Sequence, residues 1–172
     1  TVAGHTIDVL VNTGDLTLAD NVTTAATGNV YLTAETGITQ TGGVITTGTL
    51  GMIVTAAGDI DVNQLNLVST VGAQTADGNI LFKNDQALTA DVVAANAGGN
   101  FAGTTNALDT STVAGHTIDV LVNTGDLTLA DNVTTAATGN VYLTAQTGIT
   151  QTGGVITTGT LGMIVTAAGD ID

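Results

Sequence analysis

The 172 residues predict an all-β chain folded as a right-handed parallel β-helix. Three observations carry the expectation. The unit that runs from Thr1 to Ser111 begins again, almost letter for letter, at Thr112, and a step of about 22 residues runs inside it. The apolar residues also fall in short β-branched runs bounded by Gly, Asn, Asp and Thr, which is a strand signature. A β-rich, Gly-punctuated step of that length is the mark of a solenoid.

The long repeat comes first, because it decides how the rest is read. Thr1–Asp61 match Thr112–Asp172 at every position but one, where Glu35 becomes Gln146. Separately evolved domains would not agree so closely. We expect one full unit, 1–111, and a partial second, 112–172, joined as one solenoid within a longer tandem array. Glu35 falls at a corner, and the exchange of carboxylate for amide implies an exposed side chain there.

The shorter step appears in VLVNTGDL (Val9–Leu16), YLTAETGI (Tyr31–Ile38), IVTAAGDI (Ile53–Ile60) and LFKNDQAL (Leu81–Leu88). Each is an alternating run, a polar turn and an aliphatic anchor. The anchors Leu16, Ile38 and Ile60 are evenly spaced, and the next two, Leu88 and Leu127, stand progressively wider apart. Splitting the last and widest gap at Leu108 gives about five coils per repeat. Helices are disfavoured, because the runs are short and Val, Ile, Thr and Gly are poor helix formers. A hairpin meander would need two-residue turns, and Asp77-Gly78 is the one good candidate.

Alternate strand residues face the same side. Val30, Leu32 and Ala34 are therefore expected inside, level with Met52, Val54 and Ala56 and then Ile80, Phe82 and Asn84. Tyr31, Thr33, Ile53, Thr55, Leu81 and Lys83 are expected outside. The first coil, with Ile7, Val9 and Val11 apolar, is offset by one residue, so a bulge or shorter corner should precede Leu16. Asn84 ends an apolar column as a buried amide or as a corner. Glycines such as Gly14 and Gly58 fall where corners belong. Proline, which would remove ladder donors, is absent.

Composition narrows the function. Lys83 is the only Lys or Arg against 15 carboxylates, a formal charge of −14. Phosphate binding needs clustered Lys and Arg, so nucleic acid is excluded as a partner. Anionic membrane surfaces are excluded likewise, and no apolar run reaches a membrane span. With no Cys, the chain suits a secreted protein without disulfides.

No catalytic constellation stands out, and no catalytic, cofactor-binding or metal-binding residue is assigned. His5 and its copy His116 read as surface corner residues, since the nearest carboxylate in sequence, Asp8, lies three positions on along an extended segment. Asp15, Asp59 and Asp126 each follow a Gly and precede an anchor. With Asp20-Asn21, Asp77-Gly78-Asn79 and Asn84-Asp85 they could offer oxygen to calcium. The calcium-binding G-G-x-G-x-D repeat is absent, however, and Gly98-Gly99-Asn100 lacks its Asp, so these are turn formers first. Paired carboxylates for glycoside hydrolysis need one specialised groove, which a near-perfect tandem repeat does not favour. Thr23-Thr24, Thr46-Thr47 and Ser69-Thr70 recur at an even spacing and could stack as hydroxyl ladders. A flat rank of this kind is what an ice-binding face requires, although Ala94-Ala95 breaks it. Asn21-Val22-Thr23 and its copy at Asn132 match the N-glycosylation triplet.

GNVYLTAETGITQTGGVI, GDLTLADNV and GMIVTAAGDIDV resemble the coils of filamentous haemagglutinin-like and autotransporter-type exoproteins, the large β-helical adhesins of Gram-negative bacteria. The resemblance covers nearly the whole chain. It implies an extracellular rod at the cell surface that spaces or attaches something, and it names no binding residue. The expected function is a stiff stalk whose partners are its own neighbouring repeats. The alternative is a subunit that stacks end to end into a filament or sheath, with ice binding as a minor third.

Overall fold

The computed structural model describes residues 4–172, so Thr1–Ala3 at the start of the repeat lie outside the described residues. The chain is a β-solenoid with no helix among the described residues. Its strands are β1 (Thr6–Val11), β2 (Asp15–Leu18), β3 (Val22–Thr23), β4 (Asn29–Ala34), β5 (Gly37–Gln40), β6 (Ile45–Ala57), β7 (Ile60–Asp77), β8 (Ile80–Asn84) and β9 (Leu88–Ala90). The series continues with β10 (Leu108–Thr110), β11 (Thr117–Val122), β12 (Asp126–Leu129), β13 (Val133–Thr135), β14 (Asn140–Ala145), β15 (Gly148–Gln151), β16 (Ile156–Thr157) and β17 (Thr160–Val165). The strands pair in parallel, each with its counterpart one turn on. Asp77-Gly78 closes no hairpin, because Ile80 pairs in parallel with Ile60.

One column shows the stacking. Leu16, Ile38, Ile60, Ile80, Ile118, Val141 and Leu161 lie on one another, one per turn, giving about seven turns. A second face carries Val9, Leu32, Met52 and Ala73 in the same way. Apart from Leu161 in the last turn, which is exposed, these side chains form a single core: Leu32, Met52, Ile38, Ile60, Ile80, Ile118 and Val141 are fully buried. Burying such an aliphatic side chain contributes about 1.5–3 kcal/mol. Every turn adds further ones, and each turn covers the one before it.

Several register expectations need correction. The first three anchors stack as expected, but Ile80, not Leu88, follows Ile60. Leu88 lies directly under Leu127, so the wide step between them is one turn and not two. Met52 lies on Leu32 rather than on Val30, a shift of two that keeps its inward facing. Ile80 and Phe82 stand on Ile60 and Val62, on a different face from Met52 and Val54. No bulge separates Val11 from Leu16; the offset is taken up by a longer corner containing Gly14 at φ 89°. The register shifts fall instead between Val54 and Ala57 and between Val62 and Asn66.

The two repeats do not occupy equivalent faces. β11, the copy of β1, stands in the column of β2. β13, the copy of β3, stands over β10 in the column of β1. One repeat therefore advances four full turns and a third of the next, and its copy is turned by one face. The columns run through the boundary at Ser111–Thr112, where β8 pairs with β11 over Ile80–Asn84.

Candidate functional site: a finger laid on a glycine groove

The wide step from Leu88 to Leu127 holds an excursion. Thr89 and Ala90 pair with Thr70 and Val71, then the chain leaves the wall at Asp91 and returns so that Leu108 and Asp109 pair with Ala73 and Gln74. Residues 91–106 form a two-ply finger. The Thr104 N–H donates to the Val93 carbonyl at 2.9 Å and the Asn96 N–H to the Phe101 carbonyl at 3.0 Å. Gly98 turns the tip at φ 85°.

The finger lies against the outside of the turns beneath it. Asp8, Tyr31, Gly51 and Gly72 form one outward column, one residue per turn. The two glycines make a groove. A Cβ on Gly51 would run into the Phe101 ring, and one on Gly72 would come within 2.8 Å of a Val93 methyl. Phe101 fits over Gly51 and stacks on Tyr31 with ring centroids 4.8 Å apart and planes 18° apart. Stacking at this distance adds about 0.5–1.5 kcal/mol to the area buried. Ile53 and Val93 complete a small second core outside the wall. At the tip, Asp8 Oδ2 accepts from Asn96 Nδ2 at 2.5 Å, from the Asn100 N–H at 2.8 Å and from the Phe101 N–H at 3.4 Å.

Tyr31, Thr33 and Ile53 thus face outward as the alternation requires, yet all three are buried, and over Tyr31 and Ile53 the finger is the lid. Burial, and then the nearby Asp8 carboxylate, push the Tyr31 phenol above its ordinary 10.0. The sequence carries a signal for this: Phe101 is one of two phenylalanines, set among Gly98, Gly99 and Gly103.

Other sequence candidates are placed as follows. Asn84 is fully buried and is both plug and corner: its amide accepts from the Val68 N–H and donates to the carbonyls of Val68 and Gln86. Gln40 and Asn66 form a similar buried amide pair, bonded both ways at 2.9 and 3.0 Å. His116 is only 20% exposed, and its Nε2 lies 2.6 Å from Asp77 Oδ1, a partner that its spacing to the nearest carboxylate in sequence does not suggest. His5 is exposed. Glu35 and Gln146 are half-buried rather than exposed, and each accepts from a corner glycine one turn below, Gly14 at 3.0 Å and Gly125 at 3.2 Å.

The carboxylates at the other corners bridge turns. Asp15 accepts from Thr36 at 2.6 Å, Asp59 from Asn79 at 2.7 Å and Asp126 from Thr147 at 2.5 Å. Among the described residues no three His, Asp or Glu side chains gather as a metal site would require. The Thr ladder is two rungs high in each repeat, Thr24 to Thr47 at 2.7 Å and Thr135 to Thr158 at 3.0 Å. Thr46 then pairs with Leu67, so Ser69-Thr70 does not extend it. The triplet residues Asn21 and Asn132 use Oδ1 to accept from the N–H of Val44 and Val155. Among the described residues no helix is long and apolar enough to cross a membrane.

Comparison with family models, with curated proteins and with solved structures gives no match.

Proposed function

We propose that this chain is a structural segment of a long extracellular rod, a stiff spacer or stalk at a bacterial surface. The observation that carries the proposal is the seamless junction. Repeats that differ only at Glu35 and Gln146 over their shared length stack through their boundary on unbroken columns, so adding repeats adds length. Hydrogen bonds between turns run along the rod axis, and each turn covers the open edge of its neighbour, which otherwise templates further pairing. The strong negative charge of −14 keeps such a surface soluble by self-repulsion.

Chains of one, two and four repeats test this by X-ray scattering. At a strand spacing of about 4.8 Å, each repeat of four and a third turns lengthens the rod by about 21 Å at constant cross-section. Length that does not grow with repeat number contradicts the stalk. Mass that rises with concentration, from chains of fixed length, would support the end-to-end filament instead.

A further inference from the structure

The groove that Phe101 fills exists twice. In the second repeat Asp119, Tyr142 and Gly162 form the same outward column, one per turn, with Ile164 beside them in the place of Ile53. Nothing among the described residues lies on it. Tyr142 is 42% exposed where Tyr31 is 8%, and Ile164 is 59% exposed where Ile53 is 8%. Asp119, whose twin binds three donors of the fingertip, is exposed. The Tyr142 ring has leaned over the glycine: a Cβ on Gly162 would meet Tyr142 Cδ1 at 2.9 Å, the place that Phe101 takes above Gly51.

We propose that the Asp119–Tyr142–Gly162 groove is a docking site for a second finger with the chemistry of residues 91–106, supplied in cis by the remainder of the same repeat, the counterpart of residues 62–111. This rests on the tandem-array reading of the chain. The chemistry of the occupant is set by the filled twin. It is a phenylalanine flanked by glycines, whose ring covers the glycine and stacks on the tyrosine. Two successive backbone N–H groups and an Asn amide meet the carboxylate. The source is set by the geometry of the first repeat, where the finger leaves the wall in the fifth turn and reaches back to the first on the same face. A copy turned by one face places its finger over the column of β11, β14 and β17. Each repeat then clasps its own four turns, and the clasps climb the rod in a spiral, one face per repeat. The finger is a tie between turns that the wall already joins, and it would resist peeling of the outer turns under load.

The test extends the chain after Asp172 by a copy of residues 62–111, in a Tyr31→Phe background that leaves Tyr142 as the single tyrosine. Acrylamide quenching of tyrosine fluorescence reads its exposure. The quenching constant is expected to fall about fivefold on extension, the ratio of the 42% and 8% exposures. Replacing the counterpart of Phe101 in the added copy by Ala should restore it, with the counterpart of Phe82 left in the core. Quenching that stays at the level of the unextended chain overturns the proposal, as does protection that survives loss of that phenylalanine. Protection that appears only at high chain concentration assigns the finger to a second copy and overturns the cis source. Scattering on the same sample reports whether the added residues lengthen the rod, so failure of the array is distinguished from failure of the clasp. Should the extension fail to fold, a peptide of residues 91–106 added to the unextended chain decides. Saturable protection of Tyr142, abolished by Phe101→Ala in the peptide, supports the site, and its absence overturns it.

Discussion

Gly51 is the residue on which the outer face turns. Its missing Cβ is what lets the Phe101 ring reach the wall, since any side chain there would overlap that ring. Gly51→Ala is therefore expected to lift the finger and expose Tyr31. Gly162→Ala, at the unclasped twin, meets only a tyrosine ring that can swing away and should change stability by less than about 0.5 kcal/mol. Thermal melts of the two variants, read beside tyrosine quenching, check the contrast. Phe101→Ala should cost about 3 kcal/mol, at the low end for a buried Phe because the cleft opens to solvent. The Tyr31 phenol gives a pH signature. Its folded pKa is raised, so the stability it contributes is full below the unfolded value near 10.0 and is lost as pH rises through the folded value. In a Tyr142→Phe chain, the absorbance change of phenolate formation should lag that of the unfolded chain, and stability should fall across that interval. Phe101→Ala should shrink the lag. Glu35→Gln, which makes the repeats identical, should be close to neutral, because Gln146 already accepts the equivalent glycine N–H. Glu35→Ala should cost about 1 kcal/mol through loss of the bond to Gly14.

Among the elements, the strands are the legible part. Alternation in NVYLTA and TIDVLV tells inside from outside, and Val30, Leu32, Ile80 and Phe82 are buried as their parity requires. Register is less legible. A shift of two positions keeps every side chain on its proper face, so the pattern cannot distinguish Val30 from Leu32 as the partner of Met52. Corners hide the rest: Leu16 comes five positions after Val11 and Ile38 four after Ala34, and the slack sits in turns whose length periodicity does not record. The finger is harder to read for a different reason, although Phe101 among its glycines marks the place. Its polar, glycine-rich stretch resembles another coil, and the anchor at Leu108 lets the count close on five. The fingertip partners of Asp8 lie 88 or more positions away, which no local spacing reveals. Buried amides carry the sharpest prediction at this scale. Asn84→Ala strips the buried Val68 N–H and carbonyl of their partner, and should cost about 1–3 kcal/mol, measured by denaturant melts.

For the whole molecule, the central claim is that columns pass through the repeat boundary turned by one face. That follows because each repeat spends residues 91–106 on the finger and winds the remainder into four and a third turns, where a whole number of turns would align the copies. The consequence for a rod is a spiral of clasps and acidic corners rather than a single decorated side. Asp85 illustrates the join. It accepts from Asn123 and Thr124 of the next repeat at 2.7 and 2.9 Å, and those two bonds, Asn123 first, hold its carboxyl below the usual 3.8. The tie is therefore full above that pH and is lost as the pH falls through the lowered folded value, so the boundary should loosen in strong acid. The most direct measurement uses the absence of cysteine. Leu81 and Asp119 face each other across the boundary in adjacent parallel strands, close enough for a disulfide. Mild oxidation of a Leu81→Cys, Asp119→Cys chain should form an intramolecular bond in high yield. Leu81→Cys with Tyr142→Cys, two strands apart, should form none. A chain that stays reduced at 81 and 119, or closes 81 to 142 instead, would contradict the account.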